Sequence, residues 1–336
     1  MDVGTHALAS LTLTRALIPR APLAVWMLIV VAGTFADVDS LSTVFGPTGY
    51  LNWHRTLMHS MVASAVTGLI LGVVYLLIRH KDTPAKISTA AFLSAVVLSG
   101  FLHLAMDACQ SAEIMPFWPF STHRLAADWL AGVDPWIIAI LLAALLLPEL
   151  SRLVSDEIGA RSKAPRGRVG AILGLTLVIF YVGVRANFHA NALAAIQART
   201  YRGESPRRSG AYPESLSIFT WHAIVETDRA LQELTIDATP GASFDPENGT
   251  TLFKPEPSQI LDSAQNSDAA KKFLRIASFP KASIEKTPEG YAVQIRDLRY
   301  AVSGETRHEV VAVIQTDSNG KVTQDELEWA HDFRQR

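Results

Sequence analysis

The feature that most restricts the fold of this chain is a run of 23 residues, between Arg55 and Arg79, that contains no Asp, Glu, Lys or Arg. The run is rich in Val, Leu, Ile, Ala and Gly, and a helix of this length can cross the hydrocarbon core of a bilayer. Residues 87–106 form a second uncharged run of similar length. The chain is therefore predicted to be a membrane protein with more than one span.

Further apolar segments are shorter. Residues 135–148 and 169–184 reach span length only if their helices continue into flanking polar sequence. Residues 3–18 and 21–36 are apolar stretches separated by the breaker Pro19–Pro22, a pattern that predicts a short helical hairpin in the membrane. The sequence thus indicates an α-helical multi-span membrane bundle of about six helices, the first two forming this hairpin.

A signal peptide is the alternative for the N-terminal segments. Arg15 and Arg20 would be its basic region, and residues 34–36 would be a weak cleavage site. The positively charged part would be unusually long for a signal peptide. The residues after the cut also resemble part of a site that uses His6, so the hairpin is favoured.

Charge divides the chain into two kinds of polypeptide. Residues 1–195 hold 24 of the 62 Asp, Glu, Lys and Arg residues, and residues 196–336 hold 38. We therefore predict a membrane-embedded helical domain at 1–195 and a soluble domain at 200–336. The net charge of -2 argues against a nucleic-acid partner, and the single Cys109 excludes an intrachain disulfide and a thiolate zinc site.

The soluble part carries the pattern of an antiparallel β-rich (α+β) domain. Alternating or β-branched segments predict strands, residues 267–277 predict a helix, and Ser318-Asn319-Gly320 predicts a hairpin turn. A calcium loop at this turn is disfavoured because the glycine comes too early and no Glu stands at the twelfth position. The predicted strands are 219–227, 229–236, 250–254, 291–302 and 309–315.

Basic residues predict the orientation of the bundle. The segments 15–20, 79–86 and 151–168 contain ten Lys and Arg, whereas 37–58 and 107–134 contain only Arg55 and Arg124. The first set is therefore predicted to be cytoplasmic. The second set and the soluble domain are then extracytoplasmic.

Ionisable residues gather where the predicted spans end, although such groups are costly at membrane depth. His103 and Asp107 are four apart, so they share one helix face. Asp37 and Asp39 are two apart, and an extended or turning segment would direct both carboxylates the same way. His54 and His59 are five apart and require a loop as well as a helix start. With His6, the set is His6, Asp37, Asp39, His54, His59, His103 and Asp107.

Taken singly, each pair has an ordinary explanation: a buried His bonded to a nearby carboxylate, an exposed acidic helix end, or an interfacial histidine. Chain direction makes the combination informative. Alternating spans bring all seven residues to the outer end of the bundle, where they can ligate one or two divalent ions. His and Asp ligands favour zinc or manganese over magnesium.

The same residues carry a resemblance. The order Thr5-His6, Ala36-Asp37-Val38-Asp39, His54-Arg55 with His59-Ser60, His103 with Asp107, and then residues 116–121 resembles the YdjM family of inner-membrane proteins, which are described as metal-dependent hydrolases. The resemblance covers about residues 1–150. It implies a metal-binding hydrolase of the bacterial inner membrane with the matched His and Asp residues as ligands. Ala36, Met58 and the stretch 109–113 depart from the family pattern.

These observations predict a membrane-bound metal-dependent hydrolase acting on an ester or phosphoester at the membrane surface, with membrane lipids as partners. Asp37 and Asp39 are the predicted catalytic carboxylates, and Arg55, His123 and Arg124 the predicted substrate-binding residues. Two alternatives remain open. One is a non-enzymatic metal or proton transporter with a His/Asp pathway, although no internal repeat and no charged residue mid-span support it. The other is a metal that only stabilises the fold.

The topology can be tested by single-cysteine labelling in a Cys109→Ser background. Cysteines replacing Phe45, Thr122 and Thr250 should react with a membrane-impermeant reagent added outside. Those replacing Asp82 and Lys163 should be protected, because the positively charged loops stay in the cytoplasm. Labelling at 250 and 163 from the same side would contradict the predicted number of spans.

Overall fold

The computed structural model describes residues 1–78, 87–157, 167–303 and 309–330. Most of the basic residues behind the predicted orientation, at 79–86 and 161–166, lie outside these ranges. The chain divides into two compact units. The first comprises Met1–Leu41 and Trp53–Ala186, and the second comprises Ser42–Asn52 and Asn187–Arg336.

Helices in the first two hundred residues follow the apolar runs of the sequence. They are α1 Val3–Leu17, α2 Leu23–Thr34, a 3₁₀ helix Phe35–Phe45, α3 Gly46–Trp53, α4 Met61–Ile78, α5 Thr89–Ala108, α6 Pro135–Glu157 and α7 Arg168–Gln197.

Five helical stretches of the described chain are long and apolar enough to cross a membrane. They are Leu23–Trp53, Met61–Ile78, Thr89–Ala108, Pro135–Arg152 and Arg168–Gln197. With α1, which is shorter at 15 residues, they confirm the predicted multi-span bundle. The N-terminal hairpin is confirmed as well, because α1 ends at Leu17 and α2 begins at Leu23, on either side of the proline-containing breaker.

Small residues let α1, α2 and α5 approach closely. A Cβ on Gly33 of α2 would lie 1.9 Å from Ser10 Oγ of α1 and 2.5 Å from Ser99 Oγ of α5. The two hydroxyls are 2.8 Å apart, and Ser99 Oγ is also 3.1 Å from the carbonyl of Ile29. Close contact at small residues is the usual way in which membrane helices associate. Near the start of α5, Phe92 stacks on Tyr75 of α4 with ring centroids 4.2 Å apart in an apolar core.

A buried polar network holds the loop between α5 and α6. The Asp134 carboxylate accepts hydrogen bonds from the backbone N–H groups of Trp136 and Ile137, and from the Tyr181 hydroxyl at 3.0 Å. One helical turn after Tyr181, Arg185 Nε donates to the carbonyl of Trp129 at 3.1 Å. Together these bonds fix the loop at the ends of α6 and α7.

The second unit contains two four-stranded antiparallel sheets, each with its strands in chain order. Burial of Trp221 against Ala192 and Ile196 packs the end of α7 on the first sheet. Helices α8 and α9 pack on the second sheet through Leu261 and Phe273. The elements are β1 Arg208–Pro213, β2 Thr220–Glu226, β3 Ala230–Asp237, β4 Thr250–Phe253, α8 Gln259–Gln265, α9 Asp268–Leu274, β5 Pro280–Thr287, β6 Gly290–Asp297, α10 Leu298–Ser303, β7 Val310–Asp317 and β8 Val322–Trp329.

A short segment of the N-terminal half belongs to this second unit. Residues 42–52 lie between Asp39 and His54 in the chain, yet Leu51 packs against the core of the second sheet. Tyr50 contacts Trp329 of β8 with ring centroids 5.4 Å apart. The described unit boundary at Ala186 also falls earlier than the predicted break near 195–200, because the end of α7 packs on the first sheet.

The antiparallel β-rich prediction is confirmed, with three strands added. β1, β5 and β8 have no counterpart in the sequence prediction, and all three are edge strands. The strand predicted at 291–302 is too long, since it ends at Asp297 and continues as α10. The predicted turn at 318–320 joins β7 to β8, as expected.

Gly290 is predicted to be required for the second sheet. Its φ is +154°, and a Cβ there would lie 2.0 Å from the carbonyl oxygen of Thr316 in the paired strand. Gly290→Ala should destabilise the protein by about 1–3 kcal/mol, since backbone cannot move aside as a flexible side chain can. Protease resistance of the C-terminal region on heating would measure the loss. Gly203→Ala is the matched control, with φ +81° but open space around it, and an equal loss there would contradict a steric cause.

Candidate metal centre

Four helix ends supply the side chains of the candidate centre. His6 lies in α1, one turn before Ser10, and His103 lies in α5, one turn after Ser99. The contact of these helices at Gly33 therefore brings the two imidazoles together, and they stack with ring centroids 3.8 Å apart. Asp107 follows one turn later in α5. Asp37 comes from the 3₁₀ helix after α2, and His59 from the loop before α4.

Four of the seven predicted ligands form one compact group. Each of His6, Asp37, His103 and Asp107 offers a ligand atom within 4.8 Å of the others. His59 borders this group, with Nε2 3.0 Å from Asp107 Oδ2 and 3.9 Å from Asp37 Oδ1. His103 Nε2 is 3.5 Å from Asp107 Oδ2 and also 3.9 Å from Asp37 Oδ1.

Several atoms of this cluster face one another without hydrogen-bonding, whereas His6 Nε2 is bonded to Asp107 Oδ1 at 3.1 Å. Buried atoms with no hydrogen-bond partner among the described residues include His59 Nε2, His103 Nε2, Asp37 Oδ2 and Asp107 Oδ2. His59 Nε2 and Asp107 Oδ2 are 3.0 Å apart but lack hydrogen-bonding angles. Ligands of one ion at about 2.0–2.2 Å would lie roughly 3–3.5 Å apart and would point at the ion rather than at each other. The geometry fits a metal.

In His103 and His59, the ring nitrogen that faces away from the cluster has a hydrogen-bond partner. His103 Nδ1 donates to the carbonyl of Gly33 at 2.9 Å, and because a carbonyl only accepts, the lone pair of this ring lies on Nε2. His59 Nδ1 is 2.8 Å from Asp39 Oδ2. A carbonyl or carboxylate behind a histidine is the usual support of a metal ligand.

Asp39 occupies a different position from Asp37. Its Oδ2 accepts from His59 Nδ1 and from the backbone N–H of Arg55 at 2.8 Å, and its Oδ1 is 2.9 Å from His54 Nδ1. Both oxygens are therefore engaged. His54 lies beyond Asp39, with its ring centroid 6.3 Å from that of His59. Asp39 and His54 therefore lie on the Nδ1 side of His59 and are not in the compact group of four.

Negative charge dominates the cluster. Asp37, Asp39 and Asp107 are largely or fully buried, and Arg55 Nη2 is 3.8 Å from Asp107 Oδ1. Burial by itself disfavours a charged His59, but the neighbouring carboxylates of Asp107 and Asp39 outweigh it and raise the pKa of His59. Such a site attracts positive charge, and the Met1 amino group is in close contact with Asp107 Oδ1.

Gln110 is a buried residue of the site that sequence reasoning missed. Its side-chain carbonyl accepts from Arg55 Nη2 at 3.0 Å and from the Met1 amino group at 2.8 Å. Arg55 also donates to the carbonyl of Ala112 at 2.8 Å and has a left-handed φ of +56°. The position of Gln110 one turn after Asp107 was the only signal for it in the sequence.

The remaining predicted residues lie in the loop after α5. His123 is exposed, and its backbone N–H donates to Ser121 Oγ at 3.1 Å. Arg124 Nε is 3.9 Å from Glu113 Oε2. A substrate role for these two residues stays a prediction. Burial raises the pKa of the Cys109 thiol to about 11, and Cys109 is not in the compact group of four.

Metal binding should depend on this cluster in a graded way. Asp107→Ala and His103→Ala should remove most of the zinc or manganese from detergent-purified protein, because each deletes a group at the point of convergence. Asp39→Asn should weaken binding by about 10–100-fold, as is typical when a supporting residue is lost. Metal content after dialysis and a competition titration with a chelator would measure both.

His189→Ala is the matched control for these variants. His189 lies in α7 and contacts the ring of Trp221, in the second unit. Its loss should leave the metal content unchanged. Wild-type metal content in a folded His103→Ala protein would contradict the proposed centre.

Comparison with known proteins finds a family model for each half of the chain. The model of the YdjM inner membrane protein family matches residues 1–192, which contain every predicted ligand. The model of the YfhP C-terminal alpha/beta plait domain matches residues 259–336, which contain α8 to β8. No curated protein and no solved structure matches the chain. Since the first match covers more than half of the 336 residues, the chain belongs to the YdjM family of inner membrane proteins.

Proposed function

We propose that this protein is a membrane-bound metal-dependent hydrolase. One observation carries the proposal: buried His and Asp side chains from four helix ends converge and leave several ligand atoms without a hydrogen-bond partner among the described residues. The far nitrogens of His59 and His103 are bonded to Asp39 and Gly33. Purely structural hydrogen-bond networks pair such atoms, because an unpaired buried polar group costs about 1–3 kcal/mol. A bound cation removes this cost.

His6, His59, His103, Asp37 and Asp107 would hold the ion or ions. A divalent metal supplies Lewis acidity, which activates water near neutral pH and polarises the scissile bond. His and carboxylate donors without a thiolate favour zinc or manganese. The five residues offer more ligands than one tetrahedral ion needs, so the set suits either one ion or a pair.

Asp37 is the best placed general base. Its side chain is 14% exposed, whereas that of Asp107 is 0% exposed, so water can reach Asp37 more readily. Its carboxylate lies in the cluster beside His59 and His103, and it would take the proton of a water that enters on its exposed side. Asp39 would act through His59 by fixing the orientation of the ring. We therefore assign proton transfer to Asp37 and positioning to Asp39.

Arg55 would act on charge and position. Its guanidinium lies near Asp107, while its donors to Gln110 and Ala112 join the His54–His59 segment to the loop after α5. It would offset part of the negative charge of the carboxylates. Contact of Arg55, His123 or Arg124 with an anionic substrate remains part of the proposal.

The substrate class follows from where the site lies along the helices. His103 and Asp107 occupy the last turns of α5, so the cluster lies at a span end, where lipid head groups also lie. This placement favours an ester or phosphoester of amphiphilic type, with membrane lipids as partners. The basic-residue bias predicts that this end and the C-terminal domain lie on the extracytoplasmic side of the inner membrane.

A metal or proton transporter is the second candidate. The buried polar residues of α1 favour it. Polar residues continue along α1 beyond the cluster: Ser10 contacts Ser99, and Thr14 Oγ1 donates to the carbonyl of Ser10 at 2.7 Å. The Thr14 hydroxyl, however, is already used by backbone. A transport path also needs binding groups near the bilayer midplane, where this stretch offers hydroxyls alone.

Hydrolysis should be measured with zinc- or manganese-loaded protein and a set of lipid phosphoesters and esters. Release of phosphate or of a phosphorylated head group should be abolished by chelator and restored by metal. Asp37→Asn should lower kcat by about 10²–10⁴-fold, because it removes the proton acceptor. Its metal content must be measured in parallel, since Asp37 is also a ligand.

Asp262→Asn, at an exposed position in α8, is the matched control and should keep full activity. Sealed vesicles containing the wild-type protein distinguish the two candidates. Movement of metal or protons across the vesicle membrane, together with no cleavage of any ester or phosphoester tested, would replace the hydrolase with the transporter.

A further inference from the structure

The loop of the β1–β2 hairpin exposes large apolar side chains. In residues 214–219, Leu216 is 73% exposed and Phe219 is 44% exposed. The six residues connect β1 to β2, and such connections lie at the protein surface. The loop therefore presents a small apolar surface that the described part of the second unit does not cover.

Hydrogen bonds hold the loop in this conformation. Ser217 Oγ accepts from the backbone N–H of Thr220 at 3.0 Å, and the N–H of Glu214 donates to the carbonyl of Thr220 at 3.2 Å. Glu214 also pairs with His222 at 2.6 Å. Because the ends and the middle of the loop are fixed, Leu216 is held outward.

Helix α7 shows at which level the hairpin lies. The apolar part of this helix begins at Val169, and about 20 residues at 1.5 Å each span the roughly 30 Å hydrocarbon core. That length ends near Phe188, just where Arg185, Asn187 and His189 make the helix polar. Phe188 meets Phe219 edge to face, with ring centroids 5.0 Å apart. The hairpin loop therefore packs on α7 where this helix leaves the membrane.

We propose that the 214–219 loop is a membrane-contacting surface, with Leu216 and Phe219 inserted into the interfacial region of the lipid bilayer. Apolar and aromatic side chains are favoured at this depth. The loop then attaches the first sheet to the bilayer in addition to the covalent link through α7. The inference does not depend on hydrolysis at the metal centre.

Phe253 provides an internal comparison. It is 62% exposed, but it pairs with Ala230 at the start of β3, whereas the hairpin loop adjoins Asp237 at the end of β3. Strand geometry puts these positions about 24 Å apart. Two exposed apolar residues of one sheet thus lie at opposite ends, and the proposal concerns only the end next to Phe188.

Spin labelling of the full-length protein in phospholipid vesicles tests the proposal. Leu216→Cys and Phe253→Cys would each be made in the Cys109→Ser background and labelled with a nitroxide. Leu216 is 73% exposed, so replacement of its side chain should not affect folding. Collision rates with lipid-soluble oxygen and with a water-soluble nickel chelate report the depth of each label.

The measured quantity is the ratio of the collision rate with oxygen to that with the nickel chelate. This ratio should be at least about tenfold higher for the label at 216 than for the label at 253. It should fall when the vesicles are replaced by a short-chain detergent that does not form a bilayer. Equal ratios at the two positions, with free access of the nickel chelate, would place the loop in water and overturn the proposal. Low access of both reagents at 216 would show a protein contact and would overturn it as well.

Discussion

The close approach of α1, α2 and α5 at Gly33 is the contact on which the metal centre depends. No side chain fits there, since a Cβ on Gly33 would overlap Ser10 and Ser99. One turn away on each helix, His6 and His103 then stack, and the Gly33 carbonyl itself orients His103. One residue thus sets both the spacing of the helices and the direction of a ligand. Helices in lipid have no hydrophobic driving force to associate, so close packing at such small residues holds them together.

The centre combines deep burial with strong negative charge. Three carboxylates stand against one guanidinium, and several of their atoms have no hydrogen-bond partner among the described residues. In a low-dielectric surrounding this arrangement is costly unless a cation is present. The same property makes the site selective for a charged ligand and restricts access to it. Asp37 is the most accessible of the converging carboxylates, with a side chain that is 14% exposed.

The second unit is connected to the site through the chain as well as through α7. Residues 42–52 follow Leu41 in the chain and belong to the second unit, where Tyr50 and Leu51 are packed. The chain rejoins the first unit at Trp53, just before His54. The segment that carries Asp39 at one side and His54 at the other is therefore anchored in a different hydrophobic core.

The sequence by itself determined the spans, the N-terminal hairpin, the β-rich second half and the set of ionisable residues. The length of an uncharged segment and the alternation of apolar and polar residues are local properties, and they determine directly how a segment interacts with lipid and water. It did not reveal the edge strands β1, β5 and β8, whose proline, lysine and acidic residues suit an exposed edge and hide the strand pattern. Only the tertiary structure separated Asp37 from Asp39 and added Gln110. A carboxylate can face the candidate metal position or the outer nitrogen of a histidine, depending on which helix ends converge. A spacing of two residues in the sequence does not indicate which of these occurs.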